Sequence, residues 1–357
     1  MHLALLFLFL AAPQPSRLPG ISARAAAARD ADRNAEAIRL YRQGVALSPA
    51  WTDGWWNLGT LLYDGNEFAQ SRDAFTRFVK LDPSSAAGMA FLGLSEFETA
   101  EYGNALNHLN QALRLGLPAG ESLAKVTRYH AALILTRMGQ FEGAIQLFGQ
   151  LAVQGAGDRD AVIATGIAGL RMPVPLNDLD PDKKEFAFDV GHAMREGLAR
   201  REAVARREFE ALIASHPNAA ELHNLLGQLL ISSDPDAALV EWRREIEVSP
   251  RHVPARLEIA FEYLKRGDGK AGLPYAREAA AIDPKSFAAH NAIGRILTDG
   301  EDFAAGIAEL EIARTLAPKS PETRLALASA YAKTGRTKDA ARERAEFLRL
   351  KNERDGT

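Results

Sequence analysis

Six prolines set the strongest constraint on how this chain folds. The interval from Pro49 to Pro83 recurs from Pro250 to Pro284 and from Pro284 to Pro318, and the interval from Pro217 to Pro250 is one position shorter. Proline lacks the N–H that would continue a helix and restricts the residue before it, so each one marks the end of a helical unit. Ahead of these prolines the same offsets recur: Ala37, Tyr41 and Gly44; Ala205, Phe209 and Leu212; Ala238, Trp242 and Glu245; Gly272, Ala276 and Ala279; Gly306, Leu310 and Ala313. A second pattern stands at a fixed distance before the first. It reads Trp55, Leu58, Gly59, then Met89, Leu92, Gly93 (leading into Ala105, Leu109, Ala112), then Ile259, Ala260, Tyr263, then Ile293, Gly294, Leu297, then Leu327, Ala328, Tyr331. No alternating strand pattern interrupts the series. A period of this length calls for a row of like units, each too small to bury its apolar face alone.

Within each unit the spacing predicts two antiparallel helices. Small residues at the eighth position of the first helix and at the start of the second let the backbones approach closely. Gly267, Gly335 and the pairs Asp64-Gly65 and Asp299-Gly300 are expected to supply the left-handed conformation that ends the first helix. The combined pattern, Trp-x2-Leu-Gly followed by Ala-x3-Phe-x2-Ala-x4-Pro, resembles the tetratricopeptide repeat family over about residues 34–350. Trp55-x2-Leu58-Gly59 and residues 205–217 carry the likeness best. The resemblance implies an all-α, right-handed superhelical solenoid of eight to nine units, each as long as the proline interval or one position shorter. Three departures stand out. Gly227 to Ala238 is one position shorter than the repeat, Glu245 occupies a place for a small residue, and Arg344 and Asn352 replace the last aromatic and proline, as suits a polar cap facing solvent.

The stretch Met172–Asp182 carries three prolines and cannot be helical throughout. It is expected to join two arrays, 20–171 and 183–357, with a helical segment at 160–171 before it. The next helix is expected to begin with Asp180 as N-cap and Pro181 in its first turn. Residues 1–19 form a targeting segment in this reading. Leu3 to Ala12 is one apolar run, shorter than the ~20 residues a membrane-spanning helix needs but of the length found in secretory signals. Export to a periplasmic or extracellular space is therefore expected. A membrane tether, or a cytoplasmic protein with a misassigned start, are the alternatives. The 32 Arg against 11 Lys hint at a GC-rich bacterial genome.

Charge and chemistry narrow the function. The net charge is −3, and neither half of the chain has the basic excess that nucleic-acid binding needs. With no cysteine there is neither thiol nucleophile nor thiolate metal site. Gly267-x-Gly269-x-x-Gly272 has the letters of a phosphate loop but follows a helix, so its glycines read as turn and packing residues. Asp178, Asp180 and Asp182 with Asp189 mimic a calcium loop but place Lys183 where glycine is needed. Ser122-x-x-Lys125 lacks a supporting base, the histidines lack metal-ligand spacing, and Asp234 and Asp236 fall in a turn where they cap helices. No catalytic residue, cofactor, metal or small-molecule substrate is expected.

What remains is surface. In the resembled family, peptides contact the first helix of each unit. Carried over, those positions are Trp56, Thr60 and Tyr63; Ala90, Leu94 and Phe97; Tyr129 and Leu133; Asn224 and Gln228; Leu257, Phe261 and Lys265; Asn291 and Arg295; Ser329 and Lys333. The family's Lys and Asn clamp for a C-terminal carboxylate is missing. The expectation is a non-catalytic scaffold that binds a protein partner's peptide or helix, with Trp56, Tyr63, Phe97 and Tyr129 as anchors. The same aromatics could instead be buried by packing between units. A cell-envelope assembly or chaperone-like factor is the alternative function, and Trp56→Ala should cost binding but only modest stability.

Overall fold

The computed structural model describes residues 17–118, 122–153, 155 and 158–355. Among them it contains nineteen α-helices and one 3-10 turn, and the chain divides into two compact units, Met1–Ile134 and Leu135–Thr357. The first holds α1 (Leu18–Asp30), α2 (Asn34–Leu47), α3 (Thr52–Asp64), α4 (Phe68–Leu81), α5 (Ala86–Glu98) and α6 (Tyr102–Leu115). Helix α7 (Ser122–Arg137) runs across the division. The second unit holds α8 (Phe141–Val153), α9 (Arg159–Gly169), α10 (Pro181–Leu198), α11 (Glu202–Ser215), α12 (Leu222–Leu230) and α13 (Pro235–Val248). It continues with α14 (Val253–Lys265), α15 (Gly269–Ile282), α16 (Phe287–Asp299), α17 (Phe303–Leu316), α18 (Pro321–Lys333) and α19 (Thr337–Asp355). Within each unit consecutive helices pack as pairs and each pair packs on the next, with α9 an addition lying against α10.

The repeated positions are the buried ones. Ala37, Tyr41, Ala105, Leu109, Ala205, Phe209, Ala238, Trp242, Ala276 and Leu310 all lie in the core. Small residues bring the two helices of a unit together: a methyl on Gly294 would sit 2.9 Å from the carbonyl oxygen of Gly306, and one on Gly306 equally close to that of Gly294. Ser85, Asp180, Asp234, Asp268, Ser286, Asp302 and Ser320 each accept a bond from a first-turn N–H, the arrangement that satisfies a helix start. Arg344 is exposed on the terminal helix, in keeping with a polar cap.

The turn between paired helices corrects one expectation. Gly267 and Gly335 are left-handed, but Gly65 and Gly300 are not, with φ of −84° and −82°. The left-handed residue is the next one along, Asn66 or Glu301. Asp32, Asn66 and Ala100 follow one another at the proline interval, and so do Gly267, Glu301 and Gly335. Helix packing therefore dictates where the turn falls, even when glycine stands one place early. Each non-glycine residue in this conformation costs roughly 1 kcal/mol, which interhelical burial offsets.

The expected joint at 172–182 also differs. It is a tight connection inside the second unit, with a 3-10 turn at Leu176–Asp178, and the chain divides instead at 134/135. Asp180 does cap α10 and Pro181 does begin it. Leu179 and the half-buried Met172, Val174 and Leu176 pack onto Ile163, Ile167 and Ala187, which fixes the connection in place. Pro19 lies in the first turn of α1, where a missing N–H costs nothing. The apolar run Leu3–Ala12 lies outside the described residues.

In the first unit α5 and α6 are tied by His108, whose Nδ1–H donates to Glu96 Oε2 at 2.7 Å. That bond raises the His108 pKa, against the opposing effect of burial. A raised folded pKa stabilises the fold fully below the unfolded value of about 6.5, and the contribution is lost as pH rises through the folded pKa. His108→Gln is therefore expected to lower the melting temperature at about pH 5.5 and to approach the parent at about pH 9. Parallel thermal melts across that range check it; a difference that stays constant with pH would refute the assignment.

Candidate protein-interaction surface

The first helices of the first unit carry a chain of aromatic rings. Trp56 on α3 meets Phe75 and Phe78 on α4 and Phe91 on α5, with ring centroids 5.7, 5.2 and 5.6 Å apart. Tyr63 sits further along α3, between Phe68 and Phe91. Phe97 on α5 stands edge-on to His130 at 4.7 Å and faces Tyr102, while Tyr129 meets His130 at 5.6 Å. These tilted and edge-on arrangements are favourable ones for aromatic pairs. Trp56, Tyr63, Phe97 and Tyr129 are all half-buried, so each packs on one side and keeps part of its surface open. Burial pushes the Tyr63 phenol up to about 12, so it stays protonated and a hydrogen-bond donor throughout the physiological range. Thr60 turns its hydroxyl inward, donating to the carbonyls of Trp56 and Asn57.

Other expected contact positions fare differently. Leu94 is 2% exposed and Ala90 is fully buried, so both belong to the core. Leu133 is half-buried. In the second unit Asn224 (2% exposed) donates to Glu221 at 3.1 Å, and Asn291 (5% exposed) donates to Thr323 at 2.9 Å. Buried and engaged in this way, Leu94, Asn224 and Asn291 offer no surface to a partner. Phe261 packs beside Ala260 and Ala292, and Leu257 is half-buried. Gln228, Lys265, Arg295, Ser329 and Lys333 are exposed. Gln228 borders an apolar cavity of about 240 Å³.

Two members of the aromatic chain, Phe91 and His130, are not among the expected positions. Helix α5 is apolar nearly all round, so its periodicity does not say which face Phe91 takes. Burial pushes the His130 pKa down and keeps the ring neutral, and its Nδ1–H donates to the Val126 carbonyl.

The sequence motifs that mimic catalytic sites resolve into structure. Gly267 makes the left-handed turn, Asp268 caps α15, and a methyl on Gly272 would lie 2.9 Å from the Ala260 carbonyl oxygen. Asp180 and Asp234 are caps, and Asp236 pairs with Arg266 at 2.6 Å. Among the described residues no three His, Asp or Glu side chains group as a metal site, and no helix is long and apolar enough to cross a membrane.

Paired antiparallel helices repeated at the proline interval, with partly open rings on the first helix of successive pairs, define a helical-repeat scaffold. The chain belongs to the tetratricopeptide repeat family, whose profile matches residues 22–86, 56–119, 199–251, 257–321 and 291–348, well over half of the sequence. Among solved structures it is similar to a MamA double mutant (RS-1 ArsTM), with a TM-score of 0.44 and 19% identity over 48% of this chain and 98% of that one. MamA 41-end from Desulfovibrio magneticus RS-1 gives 0.43 and 20% over 48% and 97%, and a crystal structure of MamA gives 0.42 and 13% over 46% and 97%. No curated protein matches the chain in sequence.

Proposed function

We propose that the protein is a non-catalytic scaffold whose first unit binds an apolar peptide or amphipathic helix of a partner protein. The observation that carries this reading is the row of half-buried rings Trp56, Tyr63, Phe97 and Tyr129 on successive first helices. Large rings already held rigid by neighbours lose little entropy on binding, and such residues dominate interface energetics. Membership of the repeat family supports a protein partner in general terms. We further propose export from the cytoplasm on the strength of the Leu3–Ala12 run; the mass of the chain purified from its native host tests this, since an intact N-terminus would argue for a tether instead.

The test is crosslinked capture with residues 17–357, identification of the partner, and titration of the purified pair. Phe97→Ala is expected to weaken binding at least tenfold while the chain stays folded. Undiminished affinity in Phe97→Ala and Tyr63→Ala together would move the site elsewhere. Trp56→Ala is a less clean tool. Its ring contacts Phe75, Phe78 and Phe91, so removal is expected to cost about 2–3 kcal/mol of stability, below what a fully buried Trp typically costs. Urea unfolding checks that figure, which exceeds the modest cost expected from sequence.

A further inference from the structure

Helices α3 and α5 end in the same pair of side chains, an aromatic ring followed by a carboxylate: Tyr63-Asp64 and Phe97-Glu98, one proline interval apart. A carboxylate there opposes the helix it ends, because the last carbonyls already carry partial negative charge. No basic residue in the last turn of either helix compensates it. At the same place α14 ends in Lys265 and α18 in Lys333, the cation that a helix end favours. Asp64 and Glu98 are both exposed, and neither carboxylate is held in an ion pair or hydrogen bond among the described residues.

This unbalanced charge lies on the aromatic surface. Glu98 follows Phe97, whose ring stands 4.7 Å from His130, and Tyr63 reaches α5 through Phe91 at 5.5 Å. The charges that act on Tyr63 are those of Glu98 and Asp64, and Glu98 acts on His130 as well. His130 is kept neutral by burial and supplies no positive charge of its own. Among the described residues no Lys or Arg of the chain stands over the Tyr63 or Phe97 ring. A half-open ring beside an unpaired carboxylate attracts a cation in two ways, through the ring face and through the opposite charge.

We infer that the segment bound along the aromatic row is an amphipathic helix bearing two Lys or Arg side chains two turns apart, one for each ring and carboxylate pair. The inference rests on the row being the binding surface and adds the charge of its occupant. Helix α3 packs against α5, and packed helices lie about 8–10 Å apart. Positions i and i+7 of a bound helix are about 10.5 Å apart along its axis, which matches that separation. Apolar residues between the two cations cover the open edges of the rings.

The experiment is fluorescence anisotropy of the full chain with labelled Leu-Lys-Ala-Ala-Leu-Leu-Ala-Ala-Lys-Leu and a counterpart with Gln in place of both Lys. The lysine peptide is expected to bind about tenfold more tightly than the glutamine one. Asp64→Asn with Glu98→Gln should remove that preference and melt no lower than the parent, since the charges lost oppose their own helix ends. Asp299→Asn should leave the preference unchanged, because Asp299 ends α16 after the buried Thr298 instead of a ring. Phe97→Ala should weaken both peptides. Equal affinity for the two peptides, with Phe97→Ala weakening both, overturns the inference and leaves the aromatic surface standing. A lysine preference that survives Asp64→Asn with Glu98→Gln overturns it as well, by placing the cation elsewhere. No binding of either peptide at millimolar concentration overturns the inference together with the surface on which it rests.

Discussion

Gly166→Ala is expected to lower the stability of the second unit by about 3 kcal/mol, near the upper end of what overpacking a core costs. Gly166 on α9 and Gly191 on α10 are where the two backbones touch. A methyl on Gly166 would fall onto the carbonyl oxygen of Ala187 and within 2.9 Å of the Gly191 nitrogen; one on Gly191 would fall onto the Val162 carbonyl oxygen and within 2.9 Å of the Gly166 nitrogen. Backbone atoms cannot swing aside as a side-chain tip can, so the helices must separate. Every residue from Ala161 to Gly169 is buried, and separation would loosen all of those contacts. At about 2–4 °C per kcal/mol for a unit of this size, the melting temperature should fall by roughly 6–12 °C. The double change Gly166→Ala with Gly191→Ala should cost clearly less than the sum, because the first methyl has already opened the gap the second needs. Calorimetry of the three variants decides it, and simple additivity would contradict a shared contact.

The second large effect runs against the repeat pattern. Glu245→Ala places the family's favoured small residue at its position, yet is expected to destabilise by about 3 kcal/mol. Glu245 is fully buried, and its carboxylate accepts the Glu221 N–H at 2.9 Å and the Asn224 N–H at 3.2 Å. It therefore caps α12 from the neighbouring helix, a task that the side chain at the N-cap of α12 does not perform. Glu221 is freed by this arrangement to turn left-handed, with φ of +73°. Its own carboxylate receives His252 Nε2–H at 2.9 Å, while His252 Nδ1 accepts the Ala255 N–H and caps α14. Removing Glu245 strands two buried amide donors at once. Glu245→Gln, which keeps one acceptor oxygen, should cost less than half as much. Urea titrations of both variants test this; equal losses would assign the effect to packing rather than to capping.

These two sites show where sequence reasoning runs out. The shortened interval from Gly227 to Ala238 and the misplaced Glu245 are visible in the sequence, and both belong to the region that the structure explains by a cap supplied from another helix. Nothing in the sequence alone, however, pairs Glu245 with the amides of Glu221 and Asn224. Gly166 and Gly191 are less legible still. They lie outside the repeat, so no period singles them out, and α9 is buried on every side, which erases the amphipathic signal that would orient it. The same loss of signal hides Phe91 on α5.

The candidate surface divides in the same way. Positions 56, 63, 97 and 129 come from the family resemblance, and the structure leaves all four rings half-buried. Leu94, Asn224 and Asn291 follow the same count and are nevertheless buried, because the degree of exposure depends on how tightly the adjoining pair closes over them.

The sequence by itself determined the class of fold, the helix pairs, the capped start of α10 and the core positions that recur with the repeat, since all of these follow from local periodicity and from prolines that end helices. Tertiary structure alone decided where the left-handed turn falls, where the chain divides, how α9 inserts and which repeat positions remain open. Those outcomes depend on contacts between helices distant in sequence, whose energies no local pattern records.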